Sequence, residues 1–287
     1  MDHLIGYQEQ LTASLTPLLS DSVHAWISQK LNQLYNSVQP LNDLTLYSAM
    51  AKRELGDSRM EQAKPIDALF SPLDIRRWSV ADTARLILLI SLVRRLPAET
   101  ESLLTGYYRM GDEAERSSLI RGLILFAPAD CLTRLALESG RTNNLSLFSS
   151  LSQDNPYPAS FYPEQAYNQM VLKCLFLGLA IERVIGLEQR ANPDLTRMCV
   201  NYVIERENAQ RSVPHDIWLA VGPHASPTGE AKMLAYLDND EMEHRYYCAT
   251  ALGRRLGGNP TLKSPLQARL QVESDPIVQD LLKDILQ

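Results

Sequence analysis

Residues Ala84–Val93 form a stretch that, wound as a helix, is apolar on nearly every face. Arg85 and Ser91 are its interruptions. Ser79 opens the segment, and Asp82 follows three residues on as a capping-box-like pair. A helix that is apolar all round must be packed from several sides. The rest of the chain therefore has to supply a shell of other elements. Those elements read as helices. No run of alternating β-branched residues and no Asn-Gly or Asp-Gly hairpin turn occurs, while helical spacing of apolar residues recurs throughout.

Helix punctuation divides the chain. Residues 3–38 give two helices split near Pro17, and a third runs from Asn42 to about Leu55. The segment 56–77, with two prolines and mixed charge, reads as a long connection or a mobile loop, and as the best candidate boundary. Further helices are expected from Pro97, over 112–125, 129–138 and 143–151. A long helix over Pro163–Ile185 is expected to stop at Gly186. Asn192-Pro193-Asp194 is a start signal, with a cap residue, proline in the first turn and an acid near the positive end of the helix dipole. Short helices follow to Gly222-Pro223 and again over 228–287. Asp240 or Asp238 caps one of these, through Leu252, and Asp275-Pro276 starts the last.

Asp240-x4-Arg245 followed by Ala249, Ala251-Leu252-Gly253 is similar to the second half of a HEAT-type repeat, and Asp112-x3-Arg116 is a weaker analogue. Roughly fifteen short helices are more than a simple bundle holds. The expected fold is therefore all-α: one large domain over 1–287, built as an α-solenoid-like array of short antiparallel helix pairs with HEAT-like C-terminal helices over 228–287.

Composition narrows the function classes. The apolar fraction of 45% and charged fraction of 22% suit a chain with a substantial core. A net charge of -6 without any basic stripe argues against nucleic acid as a partner. The four cysteines sit inside apolar helical patterns without a CxxC or Cys/His cluster, which reads as buried thiols in a reducing compartment. The five histidines form neither HxxxH nor HExxH, so no metal is expected. The acidic run Asp238–His244 lacks the spacing of a calcium loop and reads as helix N-terminal acids. Phosphate-binding glycine loops and a GxSxG elbow are also missing, so no cofactor and no recognisable catalytic motif is expected. A spanning helix needs roughly 20 apolar residues, and no segment comes near that. The opening Met1-Asp2-His3 is unlike a signal peptide. A cytoplasmic location is expected.

Residues 155–222 carry the densest mix of aromatics and isolated polar groups. Lys173 lies in an otherwise apolar helical segment. Burial would lower its pKa toward base or Schiff-base chemistry, whereas a snorkelling stem would only cover apolar surface. Asn168 and Glu164 lie one turn apart and can face a ligand or tie down backbone groups. Arg183, Arg190 and Arg197 offer either anion binding or salt bridges to Glu182, Glu188, Glu205 and Glu207. Tyr157, Phe161, Tyr162 and Tyr167, among Pro156, Pro158 and Pro163, can wall a pocket or cap the core.

An ordered set of motifs in the same region resembles the EboA family of metabolite-traffic proteins. The set comprises Arg141-Thr142-Asn143, Asp154-Asn155-Pro156-Tyr157-Pro158, and Tyr167 (where the family has Trp) followed by Asn168 through Lys173. It continues with Gly186-Leu187-Glu188-x-Arg190-Ala191-Asn192-Pro193 and Tyr202-x2-Glu205-Arg206. The resemblance is good over 112–222. Ser48–Gly56 is similar to an early family segment, while Asp57–Met60 departs from it. The resemblance implies movement of a secondary-metabolite precursor toward or across the cytoplasmic membrane. It also implies partnership with a membrane prenyltransferase-like protein and with cytoplasmic proteins of the same pathway. It supplies no catalytic residues. The resulting expectation is an adaptor or carrier for a small apolar metabolite, at the inner face of the membrane through a partner. Its pocket or interface residues would be Asn155, Tyr157, Asn168, Lys173, Arg190, Asn192 and Arg206. An enzyme centred on Lys173 or on Glu205–Arg206, and a helical scaffold that binds a peptide in its groove, are the alternatives.

Overall fold

A computed structural model describes residues 2–287. The chain is all-helical, with sixteen α-helices and seven short 3-10 helices among the described residues, besides isolated β-bridges. It forms two compact units that divide between Tyr162 and Pro163. No helix among the described residues is long and apolar enough to cross a membrane.

The first unit holds α1 (Asp2–Leu15), α2 (Asp21–Tyr35), α3 (Pro40–Leu55), α4 (Val80–Arg95), α5 (Thr100–Met110), α6 (Glu113–Arg121), α7 (Asp130–Gly140), α8 (Leu145–Ser152) and α9 (Tyr157–Phe161). Its axis is α4, the apolar segment singled out above. Every residue from Val80 to Val93 except Ser91 is buried. Its start is fixed by a capping box: the Asp82 N–H donates to Ser79 Oγ at 3.1 Å, and the Ser79 N–H donates to Asp82 Oδ2 at 3.0 Å. Helices α1, α2, α3 and α6 pack around it. Each buried Leu or Ile contributes about 1.5–3 kcal/mol relative to exposure. At Gly122, where α6 ends, an added Cβ would sit 2.7 Å from the Leu86 methyl groups, so any larger residue would force Leu86 to shift.

The segment 56–77 is a long connection without helix, as its sequence implies, and it lies inside this unit instead of at its boundary. Met60, Ile66, Leu73 and Ile75 are buried, and the backbone pairs Ile66 with Leu73 and Arg59 with Ser79. Prolines and charges punctuate the segment, but its four apolar anchors decide where it lies.

The second unit holds α10 (Glu164–Leu177), α11 (Pro193–Asn208), α12 (Trp218–Val221), α13 (Pro227–Tyr236), α14 (Met242–Gly253), α15 (Lys263–Val272) and α16 (Pro276–Leu286). Trp218 is fully buried, with its ring 4.7 Å from that of Tyr236. The expected helix Pro163–Ile185 is shorter here. It ends at Leu177 because Gly178 adopts a left-handed conformation (φ 70°), and the Leu179 N–H closes back on the Cys174 carbonyl. Two glycines compete to end this helix, and the first in sequence does so. Asn192 caps α11 as its sequence implies, accepting from the Leu195 N–H at 2.9 Å. Helix α14 starts at Met242 with Glu241 as its cap residue, which makes no side-chain cap bond, rather than being capped by Asp238 or Asp240. All four cysteines are buried.

Candidate functional site

The seven residues expected to form a site are distributed over both units. Asn155 and Tyr157 belong to the first, and Asn168, Lys173, Arg190, Asn192 and Arg206 to the second. Asn155 is buried and occupied by backbone: its amide donates to the carbonyls of Ile120 and Ser150 at 2.9 Å each, and its oxygen accepts from the Tyr157 N–H. Tyr157 is buried, hydrogen-bonded to Thr133 Oγ1 and stacked on Phe161.

In the second unit Asn168 and Asn192 exchange amide hydrogen bonds at 3.0 and 2.9 Å, so the cap of α11 is clamped onto α10. Asn192 also donates to the Arg190 carbonyl. The Arg190 guanidinium lies 4.8 Å from the centre of the Tyr167 ring, and the Tyr167 hydroxyl donates to the Ile185 carbonyl. Lys173 is half-buried, and that burial lowers its ammonium below the usual lysine range. Asn168, Asn192 and Arg190 thus meet at one joint, which holds the turn 186–192 in place. Arg206 stands apart from them, donating through Nε to the Ser212 carbonyl at 2.7 Å with its guanidinium over Tyr202.

Arg206 lines a cavity. A pocket of about 470 Å³ opens between the end of α10, the turn after α11 and the face of α14. Its apolar wall includes Leu175, Leu179, Val213 and Pro214; its polar side includes Arg206 and His215. The volume lies in the range typical of small-molecule sites. Phe176, 73% exposed, stands at its edge.

Asp216 lies at this pocket and is buried. Its Oδ2 accepts from the Ile181 N–H at 2.5 Å, fixing the turn that follows Gly178. Burial raises its pKa, against the lowering effect of the Ile181 and Glu182 backbone donors. Tyr247 closes another side, its hydroxyl donating to Glu182 Oε2 at 2.6 Å. Sequence reasoning missed Asp216 and Tyr247. Their signal would have been an acid directly ahead of an aromatic-apolar run after Pro214, but helix-start acids look the same in sequence.

His215 continues the site outward to Glu241 and His244, whose potential ligand atoms lie within 4.8 Å of one another. The contacts of this triad are two separate hydrogen bonds, Trp218 to His244 and His215 with Glu241, and their chemistry does not suit a metal. The Trp218 indole N–H donates to His244 Nδ1 at 3.0 Å. Indole is a donor only, so Nδ1 is unprotonated and the ring proton sits on Nε2. A metal-bound histidine normally donates through its other nitrogen, and here that nitrogen already accepts. Burial, followed by the neighbouring His215, holds His244 down at about 4, so it is neutral at physiological pH. His215 Nε2 lies 2.6 Å from Glu241 Oε2.

A family model described as metabolite traffic protein EboA matches residues 7–222. The chain belongs to the EboA family. No curated protein and no solved structure matches it. The EboA match covers the Asn168–Asn192 clamp and most of the pocket wall, from Leu175 to Asp216, and it stops at Gly222. Tyr247 and His244 come from α14, outside the matched residues.

Proposed function

We propose that this EboA-family protein is an adaptor or carrier that assists traffic of a secondary-metabolite precursor to or across the cytoplasmic membrane. It holds the precursor in the pocket between α10, the turn after α11, and α14. The observation that carries this reading is the mixed lining of that pocket, in which Leu175, Leu179, Val213 and Pro214 stand with the polar side chains of Arg206, His215, Asp216 and Glu243. Such a site suits a small amphipathic molecule: the apolar wall supplies burial, and a few polar groups set orientation. The family description, metabolite traffic, supports the same class of ligand. Its protein partners are a membrane prenyltransferase-like protein and other proteins of the pathway. Exposed Phe176 and Leu177, at the C-terminal end of α10, offer them an apolar contact beside the pocket.

Filling the pocket tests the reading. Nile red, a neutral dye that brightens in apolar surroundings, should bind the wild-type chain. Leu179→Trp, which places an indole in the cavity, should weaken that binding about tenfold or more. Equal fluorescence from a folded Leu179→Trp protein and the wild type would remove this pocket as the ligand site.

A scaffold role has one specific observation behind it. Arg116 donates to the carbonyls of Tyr108 and Arg109, and Arg245 donates to those of Asn239 and Asp240. In both places an arginine in the first turns of a helix holds the end of the preceding segment. This local device supports a HEAT-like pairing of helices, in which a helical groove would bind a peptide segment of a partner.

A further inference from the structure

The first unit contains a second pocket, of about 450 Å³, with a different character. It opens over the junction of α4 and α6, and its lining has five cationic side chains against four carboxylates. Most of the carboxylates are already engaged. Asp57 pairs with Lys52 at 2.7 Å. Asp82 is shared by two arginines, Arg121 at 2.9 Å and Arg85 at 3.7 Å, while also accepting from Ser118 Oγ and Ser79. Asp112 caps α6 by accepting from the Glu115 N–H, and Glu113 is exposed to water.

Of the cations, Lys52, Arg77, Arg85 and Arg121 each face a carboxylate, Arg77 at 3.5 Å from Asp154, so the donors left over are few and specific. Ser117 is 2% exposed, lines this pocket, and its hydroxyl has no hydrogen-bond partner. A buried hydroxyl in that state costs free energy unless something else pairs with it. Arg85, 4% exposed, is anchored by its Nε to the Ser48 carbonyl, which leaves its charge fixed at the pocket. Arg59 stands at the exposed edge and forms no ion pair among the described residues. The first-turn residues Glu113 and Ala114 also line the pocket, and their N–H groups have no partner within α6.

We propose that this pocket is a binding site for an oxyanion, the phosphate or carboxylate group of a small ligand. Ser117 Oγ, the Arg85 guanidinium and the first-turn N–H groups of α6 form its floor, and Arg59 closes over it. A buried hydroxyl, a fixed guanidinium and a helix N-terminus all donate, and an oxyanion is the group that accepts from all three. The site is separate from the pocket of the second unit, and the proposal does not depend on what that pocket holds.

The test uses the full chain and three salts at matched ionic strength: sodium phosphate, sodium acetate and sodium chloride. Thermal unfolding and isothermal titration calorimetry are read together. Phosphate or acetate should raise the melting temperature above that in chloride, and whichever anion does so identifies the ligand group. Arg59→Ala and Ser117→Ala should melt in chloride at the wild-type temperature and should each bind the effective anion about tenfold more weakly, as loss of a charge-assisted or buried hydrogen bond implies. The proposal is overturned if neither anion stabilises beyond chloride. It is equally overturned if both variants bind as the wild type does, the result for an adventitious ion only. A Ser117→Ala protein that melts lower in chloride also overturns it, because the hydroxyl would then be stabilising the unliganded fold.

Discussion

The two pockets each contain a buried aspartate, and the two are held in opposite ways. In the first unit Asp82 is surrounded by charge, with Arg85 and Arg121 on it and the Ser79 cap beneath it. In the second unit Asp216 has no ion pair among the described residues and accepts from the Ile181 N–H, and burial raises its pKa. Its neighbour His244 is kept neutral at physiological pH by burial. One pocket is thus organised around paired ions, and the other sets a carboxylate that burial disfavours and a neutral imidazole beside apolar side chains. Ions in a low-dielectric setting are stable only as complete sets. Neutral groups can lose a member at less cost. The first pocket is therefore suited to an anionic group and the second to an amphipathic molecule.

The sharpest way to break this contrast is to remove the first aspartate. Asp82→Ala leaves Arg85 buried without a counter-charge and removes the capping box of the central helix. The expected loss is about 3–5 kcal/mol of unfolding free energy, the scale for breaking a buried ion pair. Urea unfolding at neutral pH reads it directly. A loss of about 1 kcal/mol or less would mean that the network is effectively solvated, and the distinction between the pockets would fall.

The next effect lies at the joint of α10 and α11. Asn192→Ala removes a helix cap, worth about 1 kcal/mol. It also orphans the buried amide of Asn168, at about 1–3 kcal/mol. A combined loss of about 2–3 kcal/mol is expected, while Nile red binding should persist, because neither asparagine lines the pocket. Loss of dye binding with little loss of stability would instead give these residues a direct role at the ligand.

This joint also shows what was legible in the sequence. Helix α4 and the Asn192 cap could be read because each is specified by neighbours along the chain: a Ser/Asp pair, or Asn-Pro-Asp. The isolated polar residues of 155–222 were equally visible, but their partners are remote. Asn155 bonds to Ile120, and Asn168 bonds to Asn192, 24 residues away. A polar side chain that satisfies distant backbone has the same local signature as one that faces a ligand. Arg85 was legible only as an interruption of an apolar run. The physical clue was present, since a charge three residues after an aspartate within an all-apolar helix requires a buried partner. Ser117 gave no clue, because a serine within a helix is ordinary and only the fold reveals that its hydroxyl is buried and unpartnered.

A pH titration of stability probes the second pocket. In the folded chain His244 titrates at about 4, against 6.5 for a free side chain. Between those values the unfolded chain binds the extra proton, so the stability this group contributes is complete above pH 6.5 and is lost as pH falls to about 4. The loss is on the order of 2 kcal/mol after allowance for partial solvent screening. Glu241 and Glu243 offset part of the effect of burial and of His215. His244→Gln retains an acceptor for the Trp218 N–H and should flatten the slope over this interval. An unchanged slope would assign the acid sensitivity to other groups.

The smallest effect is expected at the second aspartate, and its sign is informative. Asp216→Asn keeps an oxygen for the Ile181 N–H while removing a charge that burial disfavours. The two terms oppose each other, so the net change at neutral pH should be about 1 kcal/mol or less. Its pH dependence separates them. A carboxylate whose folded pKa is raised contributes most stability below its unfolded value of 3.8 and loses that contribution as pH rises through the folded pKa. The asparagine variant should therefore compare best with the wild type at neutral pH and worse as the solution is acidified. The opposite trend would mean that the Ile181 and Glu182 donors outweigh burial. Asp216 would then be a fixed anion like Asp82, and the two pockets would share one design.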